Sequence, residues 1–260
     1  MQFAACIEWM FAAGEHGELG YDERIRAAHA AGVGSVEFHL WRDKPLDLIE
    51  AALDETGVRL RSFCIEPRCS LVDPADHDNV LGAVRDAIPV AQRFKGPGMV
   101  LASGFTRAGV TEQEQFDAAV SVLKRAAALA ADAGTVLWLE PVYMVLHGQR
   151  MFVDTIGRGL DLVAAVDSPG LRLLADVFHS AQTQEDLGQA IGDRMPLVAH
   201  VQFADTDGRH EPGTGGIDWR GVLAVLRERG YRGEIGLEYY PSVPGRDSLA
   251  LTARTLANAA

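Results

Sequence analysis

Three features of the sequence together predict one α/β domain, a (β/α)8 TIM barrel spanning residues 1–260. Eight short apolar runs alternate with longer amphipathic stretches, several of those stretches end at a glycine, and no Ser/Pro-rich linker interrupts the 260 residues. A right-handed βα unit repeated eight times closes more naturally than it stays open. The competing arrangement is the open doubly wound sheet, but its first strand should run into a glycine-rich fingerprint, and Glu8-Trp9-Met10-Phe11 stands there instead.

In chain order, the runs that read as strands are 2–7 (QFAACI), 34–39 (GSVEFH), 58–65 (VRLRSFCI), 98–103 (GMVLAS), 135–140 (TVLWLE), 171–176 (LRLLAD), 197–202 (LVAHVQ) and 234–239 (EIGLEY). Glu112 to Asp132 reads as a helix with Phe116, Val120, Leu123 and Ala127 on one face. Asp218 to Arg229 does the same with Val222, Val225 and Leu226 inward, and Asp218 is placed to cap it. Gly32, Gly57, Gly134 and Gly230 stand where left-handed helix stops are expected before the next strand.

Composition narrows the function classes. With 24 basic and 36 acidic residues the net charge is −12, a field that repels phosphate backbones and anionic lipid, so neither nucleic acid nor membrane is an expected partner. The apolar start, Met1 to Gly14, lacks a basic leader and carries Glu8, so it reads as a buried strand and not as a signal peptide. Cys6, Cys64 and Cys69 form no CxxC pair, which points away from a disulfide framework or structural zinc and toward a reducing cytoplasm. Cys6 and Cys64 fall inside strands and read as core.

In such a barrel, reacting groups stand at the C-terminal ends of strands. Glu140, Asp176, Gln202 and Glu238 each end an apolar run, on strands five to eight. One polar strand end is as readily a solvated terminus. Three carboxylates and a carboxamide brought together would repel without a cation, and an oxygen-rich set suits Mg²⁺ or Mn²⁺ over zinc. His200 and Gln202 are two apart on one strand and so share a side of it, which makes His200 a substrate contact or a partner orienting a ligand. His179, three residues past Asp176, is placed to bond a substrate hydroxyl or a metal ligand.

The stretches LEP (139–141), DVFHS (176–180), HVQFAD (200–205), GRHEPGTGGIDW (208–219) and GLEYYP (236–241) resemble the signature segments of hydroxypyruvate isomerases within the xylose-isomerase-like barrels. The likeness runs over residues 135–245, whereas the N-terminal half agrees in general pattern. It implies that Glu140, Asp176, Gln202 and Glu238 bind one divalent metal and that Glu140 and Glu238 double as the proton-transfer pair. The chemistry agrees: moving a carbonyl between adjacent carbons takes a proton from one and returns it to the other through an enediolate.

The substrate implied is a small hydroxy-keto acid or sugar, first of all hydroxypyruvate going to tartronate semialdehyde. Arg209 is the expected partner of its carboxylate, and a solvated loop arginine is the plain alternative. Gly213-Thr214-Gly215-Gly216 lacks the Lys-Ser/Thr of a phosphate loop and reads as a tight turn at the pocket rim. Among the remaining groups, His29 sits in the first helix, His77 in an acidic loop and His147 in the loop after strand five. Trp9, Phe11 and Trp41 line an apolar wall or pack the helices.

Departures from the family pattern concern substrate contacts. Val142-Tyr143-Met144 and Cys64-Ile65-Glu66-Pro67 stand where Asn-His and His-Asn pairs are usual, and Gly216 stands in place of a glutamate. A C3 epimerase of free ketoses or a polyol dehydratase would use the same four ligands. A non-catalytic sugar-binding barrel would more naturally have lost one, and an abasic-site endonuclease needs more histidines and a cationic surface. The sequence leaves a homo-oligomer open.

Overall fold

The computed structural model describes residues 1–14 and 17–260. Eight strands carry the fold: β1 (Phe3–Cys6), β2 (Ser35–Phe38), β3 (Arg59–Cys64), β4 (Gly98–Leu101), β5 (Leu137–Leu139), β6 (Leu171–Asp176), β7 (Val198–Phe203) and β8 (Ile235–Leu237). Their order is that of a closed barrel, with β1 pairing to both β2 and β8. The helices are α1 (Tyr21–Ala30), α2 (Leu46–Thr56), α3 (His77–Arg93), α4 (Glu112–Asp132), α5 (Ile156–Val166), α6 (Val177–Gln182), α7 (Leu187–Ile191), α8 (Trp219–Glu228) and α9 (Gly245–Ala259). Two short hairpins, Ala13–Gly14 with Gly17–Glu18 and Val145–Leu146 with Gln149–Arg150, follow β1 and β5.

All eight strand runs are found, most of them trimmed by a residue or more at their ends. Glu140 and Glu238 each fall one residue past a three-residue strand. The helix expected over 112–132 forms with those bounds, but its buried stripe runs through Gln115, Ala119, Val122, Leu123, Ala126 and Ala127 and leaves Phe116 and Val120 half-buried. It is opened by Thr111, whose hydroxyl accepts from Glu114 N–H while Glu114 reaches back. Asp218 caps α8 by accepting from Gly221 N–H. Gly32, Gly57, Gly134 and Gly230 all take positive φ, from 68° to 82°, as the stops require. His77 departs from the expectation of an acidic loop. It begins α3, buried, with Nε2 on Leu71 O, because Asp73 caps the short turn Pro74–Asp76 and feeds the chain directly into the helix.

The chain divides into two compact units, residues 1–62 with 200–260, and residues 63–199. In the first, Ala5 lies between Val36 and Leu237 in register, and all three are fully buried. Arg24 of α1, 3% exposed, donates to Ile7 O, Glu8 O and Leu19 O and so ties down the chain leaving β1. In the second, Met99, Leu137 and Leu171 form one row across β4, β5 and β6, while Val100, Trp138 and Leu174 cluster with the half-buried Cys64, Val136 and Ala199. No helix among the described residues is long and apolar enough to cross a membrane.

Candidate active site

Within residues 63–199, β5 and β6 set out three polar groups. Glu140 N–H donates to Leu101 O at 2.9 Å, which extends the ladder by one step and carries the carboxylate past the last apolar residue of β5. Asp176 ends β6 and begins α6, its Oδ1 accepting from Phe178 N–H at 2.8 Å. His179 then lies one turn along, with Nε2 3.6 Å from Asp176 Oδ2 and 3.9 Å from Glu140 Oε1. Its Nδ1 accepts from Tyr143 N–H at 3.2 Å, so in the neutral ring the proton sits on Nε2, toward the carboxylates. One ligand atom from each of Glu140, Asp176 and His179 falls within 4.8 Å of the others, a spacing that suits a metal ion, and with its proton on Nε2 the histidine leaves the two carboxylates as the ligands on offer.

Within the other unit, Gln202 and His200 do share a side of β7, and both meet Glu37 of β2. Gln202 Nε2 donates to Glu37 Oε2 at 3.2 Å, and His200 Nε2 lies 2.7 Å from Oε1. Ser62 Oγ also donates to Oε1. Burial would raise the Glu37 pKa, but His200 and the Gln202 amide outweigh that and hold it below the usual carboxylate range. Gly236 of β8 has to be glycine, since a Cβ there would come within 2.6–2.7 Å of Glu37 Oε2, Gln202 Cγ and His200 Nε2. With its nitrogen pinned, Gln202 leaves Oε1 buried with no hydrogen-bond partner. A buried acceptor in that state is costly, and a cation satisfies it.

Glu238 N–H donates to Phe203 O at 3.2 Å, and its carboxylate is gripped on both oxygens. His39 Nε2 is 2.7 Å from Oε1, and Arg209 Nη2 donates to Oε2. Burial disfavours a charged His39, but its contact with Glu238 and the nearby Glu8 prevail, and the imidazole pKa is raised. Cys6 Sγ lies 3.7 Å from the same Nε2, and Cys6, His39 and Glu238 form the second group with metal-ligand spacing. Burial foremost, with Glu238 and Glu37 adding to it, lifts the Cys6 thiol well above its ordinary pKa. Arg209 stands over the Trp9 ring at 5.5 Å, and Trp9 stacks on Tyr240 at 4.2 Å.

The loop after β7 explains why Arg209 reaches Glu238. Arg209 holds φ +53°, a strained conformation for a side chain with a Cβ, and the surrounding bonds fix it. Tyr240 N–H donates to Arg209 O, His210 Nδ1 bonds Tyr240 O, and Ser242 donates through N–H and hydroxyl to the buried Glu211. Asp205 anchors the other end, accepting from Thr206, Gly213 and Ile217 N–H and from Trp219 Nε1. Desolvation works against the Asp205 anion, yet these donors hold its pKa below the ordinary value. The segment Gly213–Gly216 is therefore a turn folded around a carboxylate.

The family model described as "Xylose isomerase-like TIM barrel" matches residues 25–258. This chain belongs to that family. A Streptomyces coelicolor relative named "Putative hydroxypyruvate isomerase" is 31% identical, with 86% of this chain and 87% of that protein covered. The "2-oxo-tetronate isomerase" of Pectobacterium atrosepticum is 26% identical, with 95% of each covered. Among solved structures, an "AP endonuclease, family 2" from Brucella melitensis superposes with a TM-score of 0.84 at 25% identity, over 97% of this chain and 98% of that one.

In this xylose isomerase-like chain the sequence reading passed over two groups, Glu37 and His39. His39 directly follows β2 and meets the same strand-end criterion that singled out Glu140 and Glu238. Glu37 carried a different signal, a lone carboxylate inside an otherwise buried strand.

Proposed function

We propose that this barrel is an isomerase of a small α-hydroxy carbonyl compound, with hydroxypyruvate to tartronate semialdehyde as its reaction. One divalent ion, Mg²⁺ or Mn²⁺, is held by Glu140, Asp176, Gln202 and Glu238. The observation that carries the ion site is the buried, unpartnered Oε1 of Gln202. The isomerase names of two relatives support the reaction class. When bound, the ion supplies the positive charge that steadies the oxygens of an enediolate.

Glu140 and Glu238 act as base and acid, one removing the proton from the hydroxyl-bearing carbon and the other returning it to the neighbour. His179 presents Nε2–H to a substrate hydroxyl. Arg209, with five donors in a fork, serves the substrate carboxylate as well as Glu238. His200 acts through Glu37, whose carboxylate fixes the Gln202 amide. The net charge of −12 favours this small-molecule role over one on nucleic acid. The three free thiols fit a reducing cytoplasm.

A panel of hydroxypyruvate, four-carbon keto acids and free ketoses, each with Mg²⁺ or Mn²⁺, tests the reading. The keto acids should turn over fastest. Turnover confined to free ketoses would make the protein an epimerase, and tight binding without turnover would make it a sugar-binding barrel.

A further inference from the structure

The hydrogen bond between His39 and Glu238 is fixed by contacts on both the backbone and the ring of the histidine. His39 N–H donates to Glu8 Oε2 at 2.9 Å. Glu8 is in turn held by Tyr21 OH at 2.7 Å and Lys44 Nζ at 3.1 Å. Trp9 meets the imidazole edge-on at 4.9 Å. Backbone and ring are thus both fixed before Nε2 meets Oε1 of Glu238 at 2.7 Å. Arg209 donates to Oε2 of the same carboxylate.

We propose that His39 is a positioning residue for Glu238, its Nε2–H holding Oε1 so that the carboxylate meets the reacting carbon in one orientation. This rests on the isomerase reading above. Without His39 the carboxylate keeps Arg209 as a charge partner but loses a fixed point on its other oxygen.

The test uses His39→Met, which removes the donor at similar size, and His39→Gln, which returns an N–H near the position of Nε2. At saturating divalent ion, His39→Met should lower kcat by roughly 10–100-fold with KM moved far less, and His39→Gln should recover most of the loss. Adding His39→Met to Glu238→Gln should slow the enzyme no further, because the donor then has no carboxylate to hold. In metal-free protein, nitrogen NMR should find Nε2 of His39 protonated, and Glu238→Gln should shift that signal. Wild-type turnover in His39→Met beside a slow Glu238→Gln would overturn this role alone. Wild-type turnover in Glu238→Gln would overturn the role and the isomerase site with it. Equal losses in His39→Met and His39→Gln, accompanied by lowered Tm, would reduce His39 to a structural residue.

Discussion

Glu140 and Glu238 occupy equivalent backbone positions and quite different surroundings. Each follows a three-residue buried strand and donates its N–H to the preceding strand in the ladder, to Leu101 O in one case and Phe203 O in the other. Glu238 is clasped by an arginine and a histidine. Glu140 has Asp176 and His179 as near neighbours, with the histidine Nε2 at 3.9 Å. Two carboxylates presented alike by their strands thus have different near partners: a histidine and an arginine at Glu238, an aspartate and a histidine at Glu140.

The largest expected effect comes from removing the ion. Chelation should abolish activity and Mg²⁺ or Mn²⁺ should restore it, because the charge of an enediolate needs a concentrated positive partner and Glu140, Asp176 and His179 stand at metal-ligand spacing. Full turnover in a preparation shown by elemental analysis to be metal-free would break the comparison. Asp176→Ala should lose ion binding and turnover together, with partial recovery at high metal concentration.

Smaller effects should follow on the Glu238 side. Arg209→Gln removes a charge-assisted bond to Glu238 and the expected carboxylate partner, and should cost roughly 10–100-fold in kcat/KM. A keto acid should suffer more from it than a free ketose. Equal losses on both would assign Arg209 to Glu238 alone.

How far the sequence could be read follows the same contrast. The strands, the helix over Glu112–Asp132 and the stop at Gly57 were legible because each depends on a few neighbouring residues, through periodicity or capping. Glu140 and Glu238 were legible for the same reason, as polar ends of apolar runs. The N-terminal partners of Glu238 and Gln202 were not. His39 is 199 residues from Glu238 and Glu37 is 165 from Gln202, and both lie in the N-terminal half, where the family likeness is one of general pattern. Arg209 was found from its loop and expected on substrate, and its contact with Glu238 depends on a positive φ and on bonds from Tyr240 and His210 that no local pattern announces.

The smallest effect concerns the loop that carries Arg209. Asp205→Ala strands the buried Trp219 Nε1 and three backbone donors, and should lower stability by about 1–3 kcal/mol in denaturant titration. The Asp205 pKa is lowered on folding, so its contribution is present above the unfolded-state value and fades as the pH falls through the folded one. The stability gap between wild type and Asp205→Ala should therefore narrow in acid. A gap that holds constant would mean the anion is not what organises the turn.

The most direct test of the site compares Glu140→Gln with Glu238→Gln, following both turnover and solvent deuterium exchange into the substrate. Each variant keeps an oxygen for the ion and loses its basic site, so both should bind metal, weakened, while turnover falls by roughly 10²–10⁴-fold. The variant lacking the acid should still wash the substrate proton into solvent, and the one lacking the base should not, which names the base. Near-normal turnover in both would remove Glu140 and Glu238 from the mechanism.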